Sequence, residues 1–233
     1  MPKATQAQAR RARAQEAPIE APSLRLQAYE GFKQQLLDAA LRPGEFVSQR
    51  KLAALMGLPL GAIREAIPRL EAEGLIKTVP QRGLQVTNVD LKLIHNAFQL
   101  RLILEKEAAA RFTESISDAE LDALKQAHES VITRAARGIN QALLDEAQAV
   151  DWGLHDRMID SLGNDIVSDI YRVNSVRIRL IRLDRVILTP DRLLPAMHEH
   201  LEIISALRTR KPAQTVAAVE RHLNSARNRA LGM

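Results

Sequence analysis

The chain has 233 residues and a mass of 25.9 kDa, with 46% hydrophobic and 26% charged residues, an ordinary balance for a globular protein of about one to two domains. It contains no cysteine, which excludes disulfide scaffolds, thiolate zinc fingers, iron–sulfur clusters and cysteine nucleophiles. No apolar run approaches the ~18 residues of a transmembrane helix, and the first residues lack the apolar segment of a signal peptide, which points to the cytoplasm. The net charge of +5 is unevenly placed: residues 1–22 contribute +2, residues 23–88 contribute +3, and the remainder is neutral. A basic N-terminal part joined to a larger neutral part suggests a polyanion binder attached to something else.

In chain order, residues 1–22 are rich in Ala, Gln and Arg and hold one large aliphatic, Ile19. This composition predicts a disordered basic arm, with Arg10, Arg11 and Arg13 free to touch phosphates. From Leu24 the periodicity turns helical through Leu26, Tyr29, Phe32, Leu36 and Ala40, and Pro43-Gly44 ends the run. Ser48 is an N-cap candidate for a short helix closed by Gly57, and a second short helix spans about Leu60 to Glu73, closed by Gly74. Leu75–Val79 and Leu84–Thr87 alternate as two strands around Pro80-Gln81-Arg82-Gly83. That order is a winged helix-turn-helix over residues 23–88. Residues 89–233 show six further helical runs, roughly 90–113, 118–137, 140–162, 165–188, 191–209 and 213–230, and no strand, so the fold class is mainly α with an all-helical second domain.

These residues resemble two known modules. Leu41-Arg42-Pro43-Gly44, Lys51-Leu52-Ala53, Gly57, Ile63-Arg64-Glu65-Ala66-Ile67, Leu70, Glu73-Gly74-Leu75-Ile76 and Arg82-Gly83-Leu84-Gln85-Val86 resemble the winged helix of the GntR family. The C-terminal part is similar to the ligand-sensing FCD domain on Arg101, Glu105, Asp151, His155, Gly163-Asn164, Glu199-His200 and His222-Leu223. Six C-terminal helices rather than seven look more like the vanillate-regulator branch. The resemblance implies a transcriptional regulator that binds palindromic double-stranded DNA as a homodimer, is not an enzyme, and answers to a small organic acid in its helical domain.

For the DNA-binding part, the pattern assigns Arg64 to the first turns of the recognition helix, where its fork suits guanine O6 and N7. Arg50 begins the preceding helix and would meet phosphate, and Arg82 with Gly83 forms the wing tip. An ion pair with Glu65 or Glu71 is the alternative role for Arg64, and a plain solvated hairpin the alternative for Arg82. The chain departs from the family where Ser/Thr-Arg usually opens the recognition helix: here stand Pro59, Leu60 and Gly61. Gln49 occupies the place of an expected acidic residue, and Pro68 falls inside the helix, where it removes a hydrogen bond.

In the helical part, Asp151 and His155 are i and i+4, so both face one way. His200 and His222 each lie 10 residues from the turn between their helices, which puts both about 15 Å from it in an antiparallel hairpin. One carboxylate and three imidazoles suit a divalent ion (zinc, nickel or manganese) with coordination positions left open. His198 points elsewhere, and His95 and His128 have no partner pattern, which predicts surface or domain-interface positions. Arg101 and Glu105 interrupt an apolar stripe of Ile94, Phe98, Ala108 and Phe112. They form either an i,i+4 ion pair or an effector grip in which Arg101 holds a carboxylate beside the metal. The run Arg172, Arg177, Arg179, Arg182, Arg185 reads as a solvated or dimer-facing surface with room for one pocket member. A metal-dependent hydrolase and a regulator without metal remain as alternative readings, although no acid, base or nucleophile motif accompanies the metal set.

Overall fold

The computed structural model describes residues 22–185 and 190–233. The expected arm, with Arg10, Arg11 and Arg13, lies outside the described residues, as do the side chains of 183–192, Arg185 among them. Helix α1 (Leu24–Leu37) is capped by Ser23, whose hydroxyl accepts from the Leu26 amide, and it buries Ala28, Tyr29, Phe32 and Leu36. Two details differ from the sequence reading. Leu26 is 38% exposed, and Ala40 lies beyond the helix, because the chain turns through Ala39 at φ 56° to bury Leu41 instead.

A two-residue strand β1 (Phe46–Val47) follows, too short to leave an alternation in the sequence. Helix α2 (Gln49–Met56) starts at Ser48, which caps the Lys51 amide at 3.1 Å, and ends at Gly57 in the left-handed region. Helix α3 (Leu60–Ala72) begins after Pro59 with no side-chain cap. It runs unbroken through Pro68, which lies on the exposed side: Ala62, Ile63, Ala66, Ile67 and Leu70 form the buried face, and packing of that face carries the helix. Strands β2 (Ile76–Val79) and β3 (Gly83–Val86) make the wing, and β3 is central, in the order β1-β3-β2, all antiparallel. Gly83 sits at φ 90°, and a Cβ there would stand 3.1 Å from the Val47 carbonyl, so the β1–β3 contact requires glycine.

Six further helices are described: α4 (Leu91–Ser115), α5 (Asp118–Ala135), α6 (Gln141–Asp160), α7 (Asp165–Arg185), α8 (Pro190–Arg208) and α9 (Pro212–Leu231). Their starts follow local capping chemistry. Asp90 caps α4, Ser117 and Glu120 form a reciprocal capping box on α5, and Asn140 caps α6. No helix among the described residues is long and apolar enough to cross a membrane. Among the described residues the apolar cores number four, one in the winged helix and three in the bundle, and the first is not self-contained. It takes in Val176 and Leu180 from α7.

Candidate metal centre and DNA-facing surface

Five helices of the bundle send polar side chains to one point. α6 supplies Asp151 and His155, α8 supplies His200, α9 supplies His222, α4 supplies Glu105, and α5 supplies His128. His155, His200 and His222 are all buried, and each offers a ring nitrogen within 4.8 Å of those of the other two. His155 Nε2 is 3.2 Å from His200 Nε2, which is 3.3 Å from His222 Nε2. Asp151 Oδ1 stands 3.6 Å from His200 Nε2, while its Oδ2 accepts from Arg182 at 2.8 Å. His155, His200 and His222 meet here, with Asp151 beside His200.

The opposite edge of each ring is tied to a fixed partner, and those partners decide the tautomers. His155 Nδ1 donates to Glu105 Oε2 at 2.8 Å, and His222 Nδ1 donates to Glu199 Oε2 at 2.8 Å. His128 Nδ1 lies 2.7 Å from the Leu124 carbonyl, which can only accept, so the His128 proton is on Nδ1. Its Nε2 must then accept from His200 Nδ1, 3.1 Å away. Every Nε2 of the triad is left with a lone pair directed at the others. Lone pairs at 3.2–3.3 Å cannot hydrogen-bond to one another; a shared cation satisfies all three. Nitrogen ligands about 2.1 Å from one ion stand ~3.0 Å apart in octahedral and ~3.4 Å apart in tetrahedral coordination, so the donor spacing fits a divalent metal with room for further ligands.

Electrostatics keep the ligands in their metal-binding forms. Burial pushes His155 down to about 4, further than Glu105 can raise it, and burial with the neighbouring imidazoles takes His200 well below the usual histidine range. Burial would raise the carboxyls of Glu105 and Asp151. The Arg101 and His155 side chains override it for Glu105, and Arg182 and His200 for Asp151, so both stay ionised.

The expectation for His128 is corrected: it is fully buried and holds the second nitrogen of His200. A signal existed, since Leu121, Leu124, His128 and Val131 are spaced as one helical face and all four are buried. His95 and His198 are exposed. Arg101 and Glu105 are indeed an ion pair, Nε to Oε1 at 2.5 Å, and Tyr171 donates to the same oxygen at 2.9 Å. Arg101 also lines a pocket beside the triad with Asp151, Arg182, His222 and Arg229, walled by Phe98, Ile178, Ala196, Ala226 and Ala230. Its Nη2 is buried and finds no hydrogen-bond partner among the described residues. Among the described members of the α7 arginine run, Arg182 lines the pocket. Trp152, the single tryptophan, lies under the guanidinium groups of Arg179, Arg101 and Arg182 at 4.5, 5.2 and 5.6 Å. The sequence reading also missed Glu199 as an orienting group; it is held by Ser225 and by both terminal nitrogens of Arg229.

On the winged helix, Arg50, Arg64 and Arg82 are all exposed. Arg64 pairs with neither Glu65 nor Glu71; its Nε donates to Gln49 Oε1 at 3.2 Å across the helix-turn-helix. Arg82 lies over the Phe46 ring at 3.7 Å, which props it at the wing.

Comparison with known proteins agrees with this architecture. A family model described as "FCD domain" matches residues 96–225, more than half the chain, and one described as "Bacterial regulatory proteins, gntR family" matches residues 24–86. The repressor RspR of Escherichia coli K12 is 25% identical over 202 residues, 84% of each chain. The repressor GlaR of the same strain is 23% identical, covering 85% of this chain and 91% of its own. Among solved structures, E. coli McbR/YncC superposes with a TM-score of 0.72 at 19% identity, covering 88% of this chain and 95% of that one. A GntR regulator from Rhodococcus sp. RHA1 gives 0.73 at 16%, covering 91% and 99%. With a wing and recognition helix ahead of a bundle that the FCD model spans, the chain belongs to the FCD-domain family of GntR-type DNA-binding transcriptional regulators, and it is not an enzyme.

Proposed function

We propose that this regulator binds one divalent metal ion per chain through Asp151, His155, His200 and His222, and that a small carboxylate beside the metal controls its operator affinity. The observation that carries the reading is the convergence of three Nε2 lone pairs whose opposite nitrogens are locked by Glu105, Glu199 and His128. Orienting partners of this kind fix the ring planes and raise ligand basicity. Zinc, nickel and manganese all suit the mixed nitrogen and oxygen set. When bound, the ion supplies a Lewis-acid contact for one carboxylate oxygen, and the spare Nη2 of Arg101 supplies a donor for the other.

The same reading makes the protein a cytoplasmic homodimer on a palindromic operator, with Arg64 on base edges and Arg50, Arg82 and Gly83 on the backbone and wing contacts. Repression is the sense that the names of RspR and GlaR support. The domain division at residues 23–88 and 89–233 belongs to this proposal too. The test is metal analysis of chelator-stripped protein after incubation with each ion, followed by a thermal-shift screen of small organic acids with and without metal. One ion per chain, lost in His200→Ala, is expected, together with acid binding that needs both metal and Arg101. Protein that stays metal-free at neutral pH in excess zinc, nickel and manganese removes the reading.

A further inference from the structure

Helix α7 belongs to two bodies at once. At 100° per residue, Tyr171, Asn174 and Arg182 fall on one face and Val176, Arg177 and Leu180 on the opposite one. The first face touches the pocket: Tyr171 donates to Glu105, Asn174 to the Ala97 carbonyl of α4, and Arg182 to Asp151. The second face enters the winged helix. Val176 and Leu180 complete its apolar core, and the Arg177 guanidinium donates to the backbone carbonyl of Glu73, the residue that caps the C-terminus of the recognition helix α3. The last carbonyls of a helix have no intrahelical partner, and a cation there complements the negative end of the dipole. Glu73 is itself braced, its carboxylate accepting from Tyr29 Oη at 2.7 Å and from Arg69 Nε at 3.0 Å. Arg177 and Arg182 are five residues apart on one rigid helix, about 7.5 Å along its axis.

We propose that Arg177 is a positioning residue that ties the orientation of the recognition helix to the occupancy of the metal pocket. The inference rests on the metal reading above. An ion at the triad adds positive charge beside Asp151 and Glu105, the two carboxylates on which Arg182 and Tyr171 are anchored, and so changes the seat of α7. Because α7 holds the capping carbonyl of α3 through Arg177, the recognition helix moves with it.

The test is hydrogen–deuterium exchange on the full chain, stripped with chelator and then loaded with zinc alone. In the unmodified protein, zinc should slow exchange around the triad and also change it over residues 70–79 by about fivefold, the lower end of ordinary coupling between sites. Arg177→Gln should keep zinc binding and the change around the triad but lose the change at 70–79, and Arg177→Lys should restore part of it. A merely structural role for Arg177 predicts equal loss with and without zinc. Tyr171→Phe, which cuts the same route from the pocket side, should also reduce the response at 70–79. The proposal is overturned if zinc changes the triad but not residues 70–79, or if Arg177→Gln responds at 70–79 as the unmodified chain does. Zinc that binds nowhere overturns the metal reading, and this one with it.

Discussion

The two halves of the molecule use charge in opposite ways. The winged helix encloses an apolar core and keeps Arg50, Arg64 and Arg82 on its surface. The bundle buries Arg101, Glu105, His128, Asp151, His155, His200 and His222 in its interior. An exposed arginine is hydrated and costs the fold little, so its residue type is free to serve a partner. A buried charge must be matched side by side, and the groups that would serve a ligand are the same groups that hold the fold together. DNA recognition should therefore separate from stability, whereas effector recognition should not.

The sharpest way to break that comparison is Glu105→Ala. It removes the one carboxylate shared by Arg101, His155 and Tyr171, and it should destabilise the chain by about 3–5 kcal/mol, as removal of one partner from a buried pair does. Urea unfolding measures it; a midpoint equal to that of the parent protein would mean the buried cluster contributes nothing. Metal loading comes next. An ion at 100 times its dissociation constant should add about 2.7 kcal/mol, read as a rise in Tm, and the rise should vanish in His200→Ala. Trp152 fluorescence should report the same event when the ion is nickel.

A third test uses pH on the metal-free protein. An unfolded histidine titrates near 6.5, whereas folded His155 does so at about 4 and His200 well below its usual range. Between those limits the unfolded chain binds more protons. Stability is therefore fully present above about pH 6.5 and is lost as pH falls toward 4, before Glu105 and Asp151, which are held low, begin to contribute. A flat Tm from pH 7 to 5 would show that the imidazoles are not buried as neutral groups. On the other side of the comparison, Arg64→Ala should leave the unfolding free energy within about 0.5 kcal/mol of the parent yet cost about 1–3 kcal/mol of operator binding at one base. Arg82→Ala should have the smallest effect, weakening all sequences alike and lowering the salt slope by about one.

Element order and helix breaks were legible because they are local, and so were the caps Ser48 and Gly57, which act within one turn of their own position. The pairing of Asp151 with His155, and the equal distances of His200 and His222 from their turn, are also arithmetic along the chain. What escaped the reading is non-local. The strand β1 exists only because β3 offers Gln85 and Leu84 as partners. Glu199 is known as an orienting group only once α9 brings His222 and Arg229 beside it.

The amino-acid sequence alone determined a winged helix ahead of a six-helix bundle and named His155, His200 and His222 as residues of one site, because helical periodicity and capping are short-range. Only the tertiary structure decided how those residues are held. It turned Nδ1 of each ring toward a carboxylate or His128, left one nitrogen of Arg101 without a partner, and gave α7 to both domains. Hydrogen-bond direction and burial depend on which helices face each other across the bundle, and that choice is made by the packing of the whole chain.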